Sequence, residues 1–341
     1  MDLNIIWFLL FMVLIIGYAV LDGFDLGVGV LHLFTKDENE KRINLNAIGP
    51  IWDGNEVWLL TGGGALFAAF PIVYATIFSG FYLAFMLLLT ALIFRAVSFE
   101  FRKYTETPKN KKYWDFTFAI GSLLPALLYG VAVGNILRGL PVEIVDGKIS
   151  ASISFLGLLN PYSILIGLIS LVLFTMHGAI YMTMKCDGLQ RDKMISWINK
   201  TWIVLITLYL VATIASFFEA SYLFTGILKN PIFWILFILL FASIVYIPIA
   251  VKATRFGRAF LASSVTITTM IGLAALSLFP RLVPSSINLA NSLTIYNASS
   301  SEKTLFTMLI IALIGVPIVV IYTIVIYRIF RGKVVITPDS Y

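Results

Sequence analysis

Two carboxylates inside an otherwise uncharged apolar run constrain this chain more than any other feature. Residues 17–29 read Gly-Tyr-Ala-Val-Leu-Asp-Gly-Phe-Asp-Leu-Gly-Val-Gly, so Asp22 and Asp25 interrupt a hydrophobic stretch that begins at Leu3. A spacing of three puts both side chains on one face of a helix. An ionised carboxylate is costly in hydrocarbon unless it is paired, hydrated or protonated, so that face must meet protein or water. Gly23 and Gly27 form a small-xxx-small pair on its flank, with Gly29 beyond, which lets a neighbouring backbone approach closely.

The run is not isolated. Of 341 residues 60% are hydrophobic and 12% charged, with a mean hydropathy of +0.95, far from globular usage. This composition reads as an all-α polytopic membrane protein forming one integral-membrane domain over 1–341. The first apolar segment lacks a short core followed by a small-residue cleavage site, so it is expected to remain in the mature chain. A net charge of +6 would suggest nucleic acid for a soluble protein, but here the basic residues fall in short loops between spans, and no nucleic-acid partner is expected. The lone Cys186 excludes an intrachain disulfide and a thiolate cluster. No phosphate loop, CxxC or HExxH occurs, and the connector 99–115 reads as a solvated, headgroup-facing patch.

A span needs roughly 20 apolar residues, which gives nine transmembrane helices, over 3–33, 51–70, 74–98, 116–138, 161–184, 201–219, 231–251, 258–280 and 304–330. Pro71, Pro161, Pro231, Pro280 and Pro284 punctuate the junctions, and Pro125 and Pro317 predict kinks. Basic residues test the count. With each Lys and Arg allotted to the nearer loop, 19 of the 24 follow spans 1, 3, 5, 7 and 9. Adding or merging a span would destroy that alternation, so the N-terminus is expected outside and the C-terminus in the cytoplasm. The long outside loops, about 139–160 and 281–303, are rich in Ser and Asn and suit an outer cap or a partner contact.

A second acidic pair opens span two, in Gly49-Pro-Ile-Trp-Asp-Gly-Asn-Glu-Val-Trp58. Asp53 and Glu56 share a face, and in a first turn they also suit the positive end of the helix dipole, a purely structural use. Their position suggests more: a hydrated route from the bulk, by Asp53 and Glu56, to Asp25 and Asp22 in the same half of span one. Arg95, at the inner end of span three, is the candidate counter-charge, although snorkelling would also explain it. Trp52 and Trp58 read as interfacial anchors. His177 in span five is a weak candidate for a haem or copper ligand, since a lone intramembrane His is more often hydrogen-bonded packing. His32 reads as interfacial, Met176, Met182 and Met184 as core fillers, and Gly62, Gly63 and Gly64 as a close helix contact. Hydroxyls of span eight, from Ser263 to Thr269, can bond back to their own helix.

Four segments together resemble subunit II of the bacterial cytochrome bd quinol oxidases: 17–29 and 50–58 above, then Gly63-Gly-Ala-Leu-Phe-Ala-Ala-Phe-Pro71 and Phe78-Ser-Gly-Phe-Tyr82. The match is specific through span three, and the later helices agree in number and length. The resemblance implies a heterodimer in the bacterial inner membrane with a larger subunit I that holds b-type and d-type haems and the quinol site. It leaves room for a small accessory subunit beside lipid and quinone. Such a complex reduces oxygen to water with cytoplasmic protons and builds a proton-motive force without pumping. The present chain would then bind no haem or other cofactor and carry no catalytic residue. The resemblance also implies that Asp22, Asp25 and Asp53 line a proton-access route, with Trp52 and Arg95 in structural or electrostatic roles; Glu56 departs from the pattern. Two readings compete. One is a proton-coupled secondary transporter, against which nothing in spans five to nine echoes the double-Asp helix. The other is a scaffold whose carboxylates serve only assembly with the haem-bearing subunit.

Overall fold

The computed structural model describes residues 2–105, 107–145, 148–337 and 340. Met1 and Tyr341, on which the orientation of the termini bears, lie outside them. The helices are α1 (Leu3–His32), α2 (Glu38–Ile48), α3 (Trp52–Ala69), α4 (Pro71–Gly80), α5 (Tyr82–Lys103), α6 (Pro108–Arg138), α7 (Phe155–Leu158), α8 (Pro161–Lys185), α9 (Gly188–Glu219), α10 (Pro231–Lys252), α11 (Phe256–Leu278) and α12 (Glu302–Ile329). Two short antiparallel pairs sit in the long loops: β1 (Val142–Val145) with β2 (Lys148–Ala151), and β3 (Arg281–Val283) with β4 (Leu293–Thr294). Among the described residues eight helices are long and apolar enough to cross a membrane, and α3–α4, counted as one bent span, makes a ninth.

The expected third span, 74–98, is not one helix. Its first part belongs to α4, which turns 120° from α3, and α5 starts afresh after Phe81. Phe70 adopts φ −131° and ψ 63°, outside the helical region, and Pro71 opens α4 without an N–H to continue the ladder. α6 and α9 begin well before the expected limits, because their polar first turns extend the helix beyond its apolar part. Pro125 and Pro317 both lie within continuous helices. The short α2 was not among the expected elements. Asp37 caps it, accepting from the amides of Asn39 at 2.9 Å and Glu40 at 3.0 Å.

α1 is the axis around which the bundle packs, against α3, α6, α8 and α11. Its second half, Asp22 to His32, is buried on every side. The expected close approach occurs at Gly27, where an added Cβ would fall 1.9 Å from the Phe174 carbonyl oxygen of α8; Gly178 faces it in the same crossing. The glycine run of α3 behaves differently. Gly62 alone meets α1, and a Cβ on Gly63 or Gly64 would meet nothing within 4 Å, so these two open onto the outer surface of the chain. α12 is peripheral: Leu305 is its one buried residue.

The two ends of the bundle differ. One carries the Lys- and Arg-rich connectors and is called the basic end below. At the far end Asp2, Asn160, Asn230 and Ser301 each cap the helix that starts there. The long loops interlock over that end, with Leu140 N donating to Pro284 O at 2.9 Å and Ser285 Oγ to Val142 O at 2.6 Å.

Candidate functional site

Arg95 and Asp22 meet inside the bundle with both side chains wholly buried. The guanidinium grips the carboxylate with two hydrogen bonds, Nη2 to Oδ1 at 2.8 Å and Nη1 to Oδ2 at 3.2 Å. Nη1 also reaches Oε1 of Glu56 on α3, at 3.5 Å. Tyr18, one turn before Asp22, donates its only hydroxyl proton to Oδ2 at 2.8 Å. It therefore accepts from Tyr129 of α6, whose hydroxyl lies 2.7 Å away. The crossing that delivers Arg95 depends on Gly121 of α6, where a Cβ would stand 2.8 Å from the Arg95 amide nitrogen. Trp52 covers the guanidinium at 5.9 Å and stacks on Phe99, so it packs over the ion pair rather than serving as a free interfacial anchor.

Asp25 lies apart from this pair in its partners. Oδ2 accepts from Asn55 Nδ2 at 2.7 Å, while the buried Oδ1 has no hydrogen-bond partner among the described residues. Asn55 is held in turn by the Tyr327 hydroxyl of α12, which donates to Oδ1 at 3.0 Å. The α3 residues step outward: Asn55 is buried, the Glu56 side chain is 22% exposed, and Asp53 in the first turn is exposed. Arg95 thus brings together one member of each acidic pair, a single guanidinium facing the carboxyl groups of Asp22 and Glu56, while Asp53 stays at the exposed edge.

A second ion cluster sits nearer the basic end, where the sequence had suggested solvated charge. Asp115 is buried and accepts from three donors: His32 Nε2 at 2.8 Å, Lys41 Nζ at 2.7 Å and Arg102 Nε at 2.5 Å. Arg102 Nη2 also donates to Glu38 at 2.9 Å. Arg102 is 3% exposed and His32 1%, so both are buried against the protein rather than solvated. A signal was available in the spacing. Arg95 and Arg102 are two turns apart on α5, so one stripe of that helix serves both clusters.

His177 is fully committed. The Val20 carbonyl can only accept, so Nε2, at 3.0 Å, carries the ring proton, and Nδ1 then accepts from Ser263 Oγ at 2.7 Å. No ring nitrogen is left for a metal in this arrangement. Among the described residues no three His, Cys, Asp or Glu side chains gather as a metal site. His177 as placed does not fit the role of a haem ligand. Cys186, outside the spans, donates to Met182 O at 3.0 Å, and burial pushes its thiol up to about 12, which leaves it inert. Thr268 and Thr269 of α11 bond back to Ser264 O and Val265 O.

Comparison with known proteins gives a consistent set of likenesses. The family model described as cytochrome bd terminal oxidase subunit II matches residues 3–330. A Haemophilus influenzae protein named "Probable cytochrome oxidase subunit 2" is 38% identical, with 97% of this chain and 95% of that one covered. Subunit 2 of the Escherichia coli K12 cytochrome bd-I ubiquinol oxidase is 35% identical, covering 94% of this chain and 92% of its own. A chain in the structure of bd oxidase from Geobacillus thermodenitrificans superposes with a TM-score of 0.80 over 97% of this chain and 99% of that one. Its identity is 16%, so that likeness speaks to the fold alone.

Proposed function

This chain belongs to the cytochrome bd terminal oxidase subunit II family and is a subunit of a bd-type quinol oxidase, and on that premise we propose that its buried acidic array conducts protons toward the haem-bearing partner subunit. In this reading the basic end faces the bacterial cytoplasm, the N-terminus lies outside, and 1–341 forms one domain of the inner membrane. The b-type and d-type haems and the quinol site belong to subunit I. The commitment of both His177 nitrogens supports that placement. When bound there, the haems supply electron transfer and oxygen reduction, and the present chain supplies protons. The resulting charge movement is electrogenic without pumping.

Asp53, exposed in the first turn of α3, collects protons at the basic end. Glu56, one turn deeper, relays them beside Arg95, and Asp25 offers an unpartnered carboxylate oxygen within the same array. Asp22 has a different part: the bidentate Arg95 contact and the Tyr18 proton fix it as a standing negative charge. One guanidinium among Asp22, Asp25 and Glu56 cannot balance three carboxylates, and in a low-dielectric setting the array reaches neutrality by holding protons. The observation that carries the reading is this shortage of cations at a buried site with a partly exposed acid at its edge.

Glu56→Gln and Asp25→Asn in the purified oxidase complex test it. Each is expected to slow quinol-driven oxygen reduction by roughly tenfold or more while the haem spectrum and subunit ratio stay as in the parent. Unchanged turnover and charge movement in both variants would overturn it. The scaffold reading draws on the sealed Arg95–Asp22 pair, and it gains if these variants instead lose haem and partner together.

A further inference from the structure

At the basic end, the close of α8, the start of α9, the α10–α11 turn and the segment after α12 border an open cleft of about 580 Å³, apart from both ion clusters. Four cationic side chains line it: Arg191, Arg255, Arg258 and Lys333. Asp187 pairs with Arg191 and Lys333. Arg255 and Arg258 are exposed and have no acidic partner among the described residues, so the cavity carries a net positive charge. Arg191 is held for recognition. Its Nε and Nη2 donate to the Cys186 carbonyl at 3.1 and 2.9 Å, and its guanidinium lies over the Phe256 ring at 5.5 Å. Nη1 makes no hydrogen bond among the described residues.

The backbone contributes in the same direction. α11 begins in the cavity wall with no side chain capping its first amides, and a Cβ on Gly257 would meet nothing within 4 Å, so a ligand can come up to that turn. Uncapped amides at a helix start together with arginine forks suit a phosphate group. The surroundings say which kind. One turn into the bundle from the cavity, Ile249 of α10 is 56% exposed and Leu261 of α11 is 65% exposed, which presents apolar surface immediately beyond the cations. A headgroup at the arginines would leave acyl chains lying along these helices.

We propose that this cavity binds the phosphate headgroup of an anionic phospholipid, seated on Arg191, Arg255 and Arg258 and the first turn of α11. The lipid fastens the α8, α11 and C-terminal segments to the membrane surface at the basic end. Such pockets between span ends gain affinity from each basic residue they contribute.

The test uses the intact oxidase complex in phosphatidylcholine nanodiscs carrying a small fraction of photo-crosslinking phosphatidylglycerol, with crosslinks mapped by peptide mass. Adducts are expected at 183–191 and 254–258 from phosphatidylglycerol and not from a phosphatidylcholine probe. Arg255→Gln with Arg258→Gln should cut the adduct yield by roughly tenfold or more, and the paired Lys replacements should restore most of it. Millimolar inorganic phosphate should not compete. Adducts unchanged in the double Gln variant would overturn the proposal, and displacement by inorganic phosphate would give the cavity to a soluble phosphate compound instead. If the double variant fails to assemble, the single Arg258→Gln variant, with the parent's adduct map, decides the same question: adducts scattered over the basic end would overturn it.

Discussion

The two buried ion clusters share the helices α1, α5 and α6 yet are composed in opposite ways. At Arg95 one guanidinium faces carboxyl groups from two helices, Tyr18 and Tyr129 extend the network, and Asp25 keeps an oxygen without a partner among the described residues. At Asp115 the donors are in excess: the His32 imidazole, the Lys41 ammonium and the Arg102 guanidinium converge on one carboxylate, and Glu38 takes up the spare guanidinium nitrogen. A carboxylate with three donors is finished as a binding partner and holds α1, α2, α5 and α6 together. An acid array short of cations is unfinished, which is the condition a proton carrier requires. The difference between the clusters is therefore one of stoichiometry as much as of depth.

The strongest way to break this contrast is to remove the cation of the acid-rich cluster. Arg95→Gln leaves Asp22 buried without its counter-charge, and the expected cost is about 3–5 kcal/mol, read as loss of assembled complex and a lower melting temperature. Adding Asp22→Asn removes the orphaned charge, so the double variant should recover a substantial part of that loss. A double variant as unstable as Arg95→Gln alone would mean that Arg95 works by packing, under Trp52, and not by charge.

Asp115→Asn addresses the other side. The amide keeps the shape but cannot satisfy three donors, two of them cationic, and a destabilisation of about 1.5–3 kcal/mol is expected from the lost charge-assisted bonds. Oxygen reduction per assembled complex should stay at the parent level, since this cluster is placed outside the proton route. Thermal melting of the complex and turnover normalised to haem measure the two effects separately. Slowed turnover with unchanged stability would erase the distinction between the clusters.

How much of this arrangement could be read from sequence follows from the range of the interactions concerned. The Asp22/Asp25 pair declared a sheltered face because hydrocarbon is intolerant of charge at any position, and Gly27 declared a close crossing because α8 comes within contact of its Cα. The span count followed from hydropathy and from the alternation of Lys and Arg. Pro71 declared the break at Phe70, but the one at Phe81 stayed hidden, because it depends on backbone angles at a residue whose side chain looks ordinary in an apolar stretch. Gly63 and Gly64 meet no helix of this chain, since a glycine run announces an approach without saying whether the approaching helix belongs to the same chain. Arg102 and Asp115 were taken as solvated for a similar reason: a charged connector is buried only when a helix such as α1 presents His32 at the matching level.

The rim of the Asp115 cluster provides the smallest and sharpest comparison. Lys111 lies 3.9 Å from Glu38, and both side chains are substantially exposed, at 37% and 50%. Water and salt screen such a pair, and its net contribution is set against the entropy of two long side chains. Lys111→Met should therefore change stability by no more than about 0.5 kcal/mol, and raising ionic strength should move the parent and the variant together. Arg102, one shell inward, already satisfies Glu38 with a guanidinium nitrogen at 2.9 Å, so the acid is not stranded when the lysine is lost. A large effect from Lys111→Met would show the Asp115 cluster to be poised rather than saturated, and the excess of donors there would then require the same scrutiny as the shortage of cations at Arg95.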